Sequence, residues 1–126
     1  STRNEYINTY FRRGKYIMRI NIKKELIPYQ FQLKSKGDIF YINIKHFAYN
    51  DRIYIDVYDE NKTLLLENEK LIQDVPIGLY LFKDNNYTQN IYLPQAIIVP
   101  MSDNNKKYNI NYSNFYTEVF LEYFEV

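Results

Sequence analysis

A long alternation of apolar and polar residues between Ile39 and Asp59 is the strongest structural signal in the chain. Two runs alternate with a period of two, and the polar segment 48–51 separates them. Such alternation is typical of half-buried β-strands, and a short polar connection between two alternating runs is typical of a β-hairpin. One side of this hairpin carries branched aliphatic residues and one phenylalanine: Phe40, Ile42, Ile44, Ile53, Ile55 and Val57. The sequence therefore predicts a central hairpin with that face in the core.

Short apolar runs on both sides of the hairpin predict further strands. Residues 19–23 and 29–33 alternate before it, and residues 63–66 and 70–72 come after it, each preceded by a polar turn. Closely spaced strands joined by turns favour antiparallel pairing. This part of the chain is therefore predicted to be a meander.

The second half of the chain predicts the remaining strands. Residues 79–82 and 97–99 are apolar, and Pro100 is expected to end the second of these strands. The closing run 117–124 alternates again and is expected to pair with an early strand, whereas the polar segment 102–114 is predicted to be a flexible tip. The predicted fold is all-β, a small antiparallel β-sandwich or open barrel of about seven strands.

Residues 1–17 differ in character from the rest of the chain. They predict an N-terminal extension or a short helical arm, and residues 18–126 are expected to form a single β-domain. Asn4 and Gly14 would cap a helix of about two turns, which is too short to be stable alone. The apolar side of that helix would carry Tyr6, Ile7, Tyr10 and Phe11. The lead is therefore expected either to be poorly ordered or to dock on a neighbouring subunit.

Composition narrows the classes of protein and of chemistry. The chain has 126 residues, 46% apolar and 25% charged, with a formal net charge of +1. These values are typical of one soluble globular domain, and no apolar run approaches the roughly 20 residues needed to cross a bilayer. The near-neutral charge argues against nucleic acid as the main partner. The absence of cysteine excludes disulfides, thiolate metal sites and cysteine nucleophiles.

The candidate catalytic residues have structural interpretations. The single histidine, His46, has no nucleophile or carboxylate partner that spacing identifies, so a structural role or plain exposure is predicted. The carboxylates of Asp56, Asp59 and Glu60 are close in sequence, but the glycine-bearing spacing of a calcium loop is absent. They are interpreted as solvated turn residues. No catalytic residue, cofactor or metal is expected.

Aromatic and basic residues supply the candidate contact surfaces. Tyr41, Tyr54 and Tyr58 are predicted on the outer face of the hairpin, where they could stack on a sugar or pair across strands. Basic residues interleaved with aromatics in the lead could meet nucleic acid or an acidic protein. The residues predicted to contact other proteins are Tyr6, Tyr10, Phe11, Arg12, Arg13, Tyr54 and Tyr58.

Four segments carry a resemblance to a known family. They are Phe31–Leu33 with the hairpin FYINIKHFAYNDRIYIDVYDENKTLLLE, the corner KLIQDVPIGLYLF, the Leu-Pro turn and strand YLPQAIIVPMSD, and the closing strand EVFLEYFE. In this order, from about residue 25 to residue 126, they resemble the small phage baseplate plug family of tail and contractile-injection particles. The Ser1–Ile17 lead lies outside the resemblance.

The resemblance implies a non-enzymatic structural protein of a phage tail or related contractile particle. Such a protein would be assembled in the host cytoplasm and reside in the virion, on the tail axis at the baseplate. It would contact hub and tube proteins in several symmetric copies, with no small-molecule substrate and no membrane. The family offers no catalytic or ligand motif to carry over. Two alternatives remain open, a carbohydrate-binding β-sandwich that uses the outer-face tyrosines and a small hydrolase that uses Asp56, Asp59 or His46.

Overall fold

The computed structural model describes residues 6–12, 14–35, 37–78 and 96–125. Within these ranges there are two antiparallel four-stranded sheets, the first in the order β1-β2-β8-β7 and the second in the order β3-β4-β5-β6. The strands are β1 Ile7–Arg12, β2 Lys15–Ile20, β3 Tyr29–Ser35, β4 Asp38–Phe47, β5 Arg52–Tyr58, β6 Leu64–Lys70, β7 Ala96–Ser102 and β8 Val119–Glu125, with a 3-10 helix at Lys24–Leu26. The predicted small antiparallel β-sandwich is confirmed, with eight strands described.

The predicted central hairpin is β4 and β5. The two strands pair in register from Tyr41 opposite Tyr58 to Phe47 opposite Arg52, and the connection is the predicted segment 48–51. None of the six residues predicted on its inner face is more than 7% exposed. Burial of a branched aliphatic side chain stabilises a fold by about 1.5–3 kcal/mol, so this face contributes a large share of the core.

The core lies between the two sheets and draws on both. Strand β8 lies between β2 and β7, and its Leu121 and Tyr123 are buried with Leu33 and Ile44 of the second sheet. Ser35 Oγ and the Tyr123 hydroxyl form a buried hydrogen bond of 2.9 Å between the sheets. The predicted pairing of the closing strand with an early strand is confirmed by the pairing of β8 with β2.

The helix predicted in the lead is wrong where the structure describes this segment. Ile7–Arg12 is a strand that pairs with Lys15–Ile20, and Gly14 has a φ of 76° in the turn between them. Tyr, Ile, Thr and Phe favour strands, and an isolated two-turn helix cannot compete with a ladder that continues through β2 into β8. Strand β2 crosses the boundary predicted between residues 17 and 18, and the division into an extension and one β-domain stays a prediction.

Strand β7 continues through Pro100, which was predicted to end it. Pro100 lies opposite Leu121, and its carbonyl accepts the backbone N–H of Asp74 at 2.7 Å. Proline is tolerated here because β7 is the last strand in the described order of its sheet, where the missing N–H need not bond a neighbour. The strand predicted over residues 79–82 lies outside the described residues.

The segment 102–114, predicted to be a flexible tip, is anchored to the sandwich. The amide of the buried Gln73 donates to the Lys106 carbonyl at 2.8 Å and accepts the Tyr108 N–H at 2.7 Å. Ile110 enters the core. The prediction was wrong because the anchoring contacts, from the Gln73 side chain to backbone groups and from Ile110 to the core, are not evident from the polar composition of the segment.

Candidate functional site

The most exposed aromatic pair of the first sheet lies at the tip of the β1–β2 hairpin. Phe11 and Tyr16 face each other across the two strands, with ring centroids 5.1 Å apart and ring planes at 60°. Phe11 is 62% exposed and Tyr16 is 79% exposed. Phe11 is one of the predicted contact residues, whereas Tyr16 was not singled out.

The exposure of this pair follows from the alternation of side chains along the strands. Ile20, Met18 and Tyr16 share one face of β2 because residues two apart point the same way. Ile20 is 1% exposed, Met18 is half-buried against the core, and Tyr16 is free of it. At the base of the hairpin, Tyr6 packs on Phe31 of the second sheet with centroids 5.4 Å apart. The core-facing side of the hairpin is therefore covered at its base and uncovered at its tip.

An open depression of about 510 Å³ lies beside the hairpin tip. Two of its lining residues, Asp103 and Glu122, form an ion cluster with Arg19, with Arg19 Nη2 2.9 Å from Asp103 Oδ1 and Arg19 Nε 2.9 Å from Glu122 Oε1. The guanidinium lies 3.9 Å from the Phe120 ring centroid, so it is held by the ring as well as by the two carboxylates. The residues that line the depression are Lys15, Tyr16, Ile17, Met101, Ser102, Asp103, Asn105, Glu122 and Phe124.

A second aromatic cluster lies at the loop end of the central hairpin. Tyr54 packs on Phe47 with centroids 4.5 Å apart, and its hydroxyl accepts the side-chain N–H of Asn50 at 2.7 Å. Tyr49 stacks on Phe47 at 5.9 Å and is 83% exposed, and a hydrogen bond with Tyr54 raises the pKa of Tyr49. Tyr49 was not singled out in the sequence, although a large aromatic residue in a four-residue turn is a signal of an exposed ring.

The outer-face tyrosines of the hairpin have intramolecular partners. Tyr41 and Tyr58 lie directly opposite each other, and the Lys62 ammonium lies 3.3 Å from the centroid of the Tyr41 ring. Tyr54 belongs to the cluster around Phe47. Cross-strand pairing and a cation–π contact account for these rings without a bound sugar.

His46 has a carboxylate partner that sequence spacing did not identify. Its Nε2 lies 2.7 Å from Asp51 Oδ1 across the hairpin turn, and the backbone N–H of Tyr112 donates to the same oxygen at 3.2 Å. The hydrogen bond with His46, followed by that from Tyr112, holds the pKa of Asp51 below its ordinary value. The pair joins the hairpin turn to the loop before β8, which favours the structural role over plain exposure, the two alternatives predicted for His46.

Asp56 is buried, so its interpretation as a solvated turn residue is wrong. It is 5% exposed, and its carboxylate accepts the Asn68 N–H at 2.8 Å and the Lys45 ammonium at 3.0 Å. Burial raises the pKa of Asp56, but the bonds from Asn68 and Lys45 outweigh it and the net shift is downward. A bulge in the β5–β6 ladder between Ile55 and Val57 sets the carboxylate against β6.

Asp59 is the turn residue that the sequence predicted. Its Oδ1 accepts the backbone N–H groups of Asn61 and Thr63, each at 2.9 Å. His46, Asp56 and Asp59 thus each bond to a different set of neighbours. Over the described ranges, no group of three or more His, Cys, Asp or Glu residues is placed to hold a metal ion.

A comparison with protein families identifies the family to which the chain belongs. A family model described as the cyanophage baseplate Pam3 plug gp18 matches residues 17–126. The chain belongs to this family. The baseplate plug family consists of structural proteins of the phage baseplate, so the chain is a structural protein of the tail baseplate in the virion. The resemblance predicted from the four sequence segments is confirmed. Searches of curated proteins and of solved structures find no match.

Only some of the candidate contact residues of this baseplate protein lie in the range that the family model matches. The match begins at residue 17, so strand β1 and the turn after it precede the match, whereas Tyr54 and Tyr58 fall within it. Arg13 lies outside the described residues, as do the side chains of Tyr10 and Arg12. Where the structure describes the chain, no helix is long and apolar enough to cross a membrane.

Proposed function

We propose that this baseplate plug-family protein lies on the tail axis and acts through protein–protein contacts, without enzymatic activity. The observation that carries the proposal is the family match over residues 17–126. The described side chains support it, because the candidate catalytic groups engage in pairs that stabilise the fold. His46 bonds Asp51, and Asp56 bonds Lys45. Membership also implies contacts with other baseplate components.

The proposed partners are hub and tube proteins, and the chain is proposed to act in several symmetric copies. Strand edges favour such assembly because they present unpaired N–H and C=O groups that can add a strand from a neighbour. In the described order of the first sheet, β1 lies at one edge and bonds β2 on its inner side. Its outer side is therefore a candidate for pairing with another subunit.

The proposed contact residues fall into two groups. Phe11, with Arg12 and Arg13, belongs to the hairpin tip, and Tyr54 and Tyr58 belong to the outer face of the central hairpin. Phe11 is exposed, whereas Tyr54 and Tyr58 are half-buried.

Tyr6 packs on Phe31 at the base of the β1–β2 hairpin and fixes the angle at which the tip leaves the sandwich. Its proposed part in contacts is therefore to hold the tip in place.

Mass spectrometry of purified virions, followed by cryo-electron microscopy of their baseplates, tests the proposal. We expect the chain in the particle and its density on the tail axis, in a copy number that matches the baseplate symmetry. Light scattering of the chain, alone and with co-expressed hub and tube proteins, measures the assembly directly. A chain that stays monomeric with each of these proteins and is missing from virions would contradict the proposal.

A further inference from the structure

At the tip of the β1–β2 hairpin, the face that is buried elsewhere in the hairpin is exposed, and the local sequence is basic. We define the tip as residues 11–16, with the sequence Phe-Arg-Arg-Gly-Lys-Tyr. Phe11 and Tyr16 lie on the hairpin face that is buried at Ile20. Three of the six tip residues are basic and none is acidic, although the net charge of the whole chain is only +1.

The second sheet does not cover the tip. Tyr16 is four residues from the buried Ile20, which corresponds to about 13 Å of extended strand. The Phe11 and Tyr16 rings pack on each other and are otherwise largely exposed to water. Contiguous exposed apolar surface that is rimmed by polar residues is typical of an interaction site.

Resting on the proposed function, we propose that the tip is a docking peg that inserts into an apolar, acid-rimmed pocket of another protein of the baseplate. The aromatic pair supplies the apolar anchor, and the basic residues Arg12, Arg13 and Lys15 select an acidic rim. Rings already packed together lose little freedom on binding, which favours them as anchors.

Charge complementarity favours an acidic protein over nucleic acid as the occupant. Nucleic-acid grooves spread positive charge along a surface and offer ring faces on which bases stack. Here the three basic residues fall within four positions of the sequence, 12–15, and the two rings engage each other at 60°. A second copy of the chain is also a weaker candidate. The acids in the depression beside the tip, Asp103 and Glu122, are already bonded to Arg19.

The peg lies entirely before the family match, which begins at residue 17. The matched region contains the second sheet and strands β7 and β8, and with them most of the core. We therefore propose that docking through the tip is a feature of this chain outside the plug domain that the family shares.

Two tip variants test the proposal in virions assembled with the full-length chain. Phe11→Ser with Tyr16→Ser removes the anchor, and Arg12→Glu with Lys15→Glu reverses the charge. Leu26→Ser is the apolar control because Leu26 is 51% exposed and belongs to neither proposed contact group, and Lys106→Glu with Lys107→Glu is the charge control on an exposed loop. Far-ultraviolet circular dichroism and the urea midpoint of each variant show that it is folded.

We expect each tip variant to lower the number of copies per virion by about tenfold or more, since loss of a central anchor commonly costs that much affinity. The two controls are expected to assemble normally. Normal incorporation of both tip variants would overturn the docking peg while leaving the proposed function intact. Absence of the wild-type chain from virions would overturn the proposed function and, with it, the peg.

A photoreactive phenylalanine at position 11 identifies the occupant. We expect it to cross-link, in assembled particles, to another baseplate protein next to Asp or Glu residues. Cross-links confined to a second copy of the chain, to DNA or to surfaces without acids would overturn the proposal.

Discussion

Removal of the buried carboxylate of Asp56 is expected to destabilise this fold substantially. Its oxygens accept the Asn68 N–H at 2.8 Å and lie 2.9–3.0 Å from the Lys45 ammonium. Asp56→Ala leaves the Asn68 N–H without its acceptor, which costs about 1–3 kcal/mol for a buried donor. The Lys45 side chain is 25% exposed and can regain water, so the lost ion pair adds only about 1 kcal/mol. We expect Asp56→Ala to lower the free energy of unfolding by about 2–4 kcal/mol.

Asp56→Asn removes the charge of the side chain and keeps its shape. The stability difference between this variant and the wild type should therefore depend on pH. The variant keeps an acceptor oxygen for Asn68, so its cost at pH 7 is expected to be about 1–2 kcal/mol. The folded-state pKa of Asp56 is below its ordinary value of 3.8. A lowered folded-state pKa means that the carboxylate stabilises the fold fully above the ordinary pKa and loses this contribution as pH falls through the folded-state pKa. The stability gap between wild type and Asp56→Asn should therefore be constant from pH 7 to about pH 5 and shrink below about pH 4.

Urea unfolding followed by circular dichroism at pH 7, 5, 4 and 3 measures this gap. Asp38→Asn is the matched control, because Asp38 is an exposed aspartate at the start of β4 in the same sheet. An Asp56→Asn midpoint no lower than that of Asp38→Asn at pH 7 would refute the reasoning. So would a gap that stays unchanged down to pH 3.

Three further substitutions test the core, the contact between the sheets and the first turn. Ile55→Ala, at a position only 1% exposed, should lower the free energy of unfolding by about 2–5 kcal/mol, and an unchanged urea midpoint would mean that the inner face is wrongly assigned. Tyr123→Phe should lower the free energy of unfolding by about 1–3 kcal/mol because it leaves the buried Ser35 hydroxyl without its partner. In a double-mutant cycle, Ser35→Ala should cost less in the Tyr123→Phe background than in the wild type. Gly14→Ala should cost about 1–2 kcal/mol because its φ of 76° is left-handed, whereas Gly14→Asn should cost less. Thermal unfolding measures both variants, and a Gly14→Ala variant no less stable than Gly14→Asn would count against that explanation.

The central hairpin could be predicted because its local pattern and its tertiary environment agree. On one side of β4 and β5 lie six apolar residues that all enter the core: Phe40, Ile42, Ile44, Ile53, Ile55 and Val57. A shift of one residue would expose every one of them, so the pattern specifies the register as well as the strands. The same argument applies to the closing strand β8, where the alternating residues Val119, Leu121 and Tyr123 are buried.

The lead could not be predicted because its pattern fits two periods. Tyr6, Ile7, Tyr10 and Phe11 satisfy the spacing of a short helix, yet Ile7 and Phe11 also lie on one side of a strand. The deciding interaction is the pairing of β2 with β8, more than one hundred residues away in sequence, as the bond between Arg19 and Glu122 shows with a separation of 103. Local propensity does not contain that information.

The burial of polar side chains could not be predicted for the same reason. Asp56 is held by Asn68, twelve residues away, and Gln73 is held by Lys106, thirty-three residues away. Neither partner is marked by spacing, and both buried side chains look like surface residues in the sequence. In the candidate contact site, Phe11 could be predicted from the density of aromatics in the lead. The exposure of Tyr16 depends instead on where the second sheet ends, which no pattern within β2 records.

Strand β2 couples the stable part of the molecule to the proposed docking peg. Ile20 is fixed in the core, and Arg19 is fixed by two carboxylates and the Phe120 ring on the other face. Both anchors lie within four residues of Tyr16, so the tip leaves the sandwich along a strand that is held on both sides. A peg held this way arrives at its partner already ordered, and the binding free energy of its two rings is not offset by the cost of ordering the strand. The buried end of β2 is therefore expected to matter for docking even though it touches no partner.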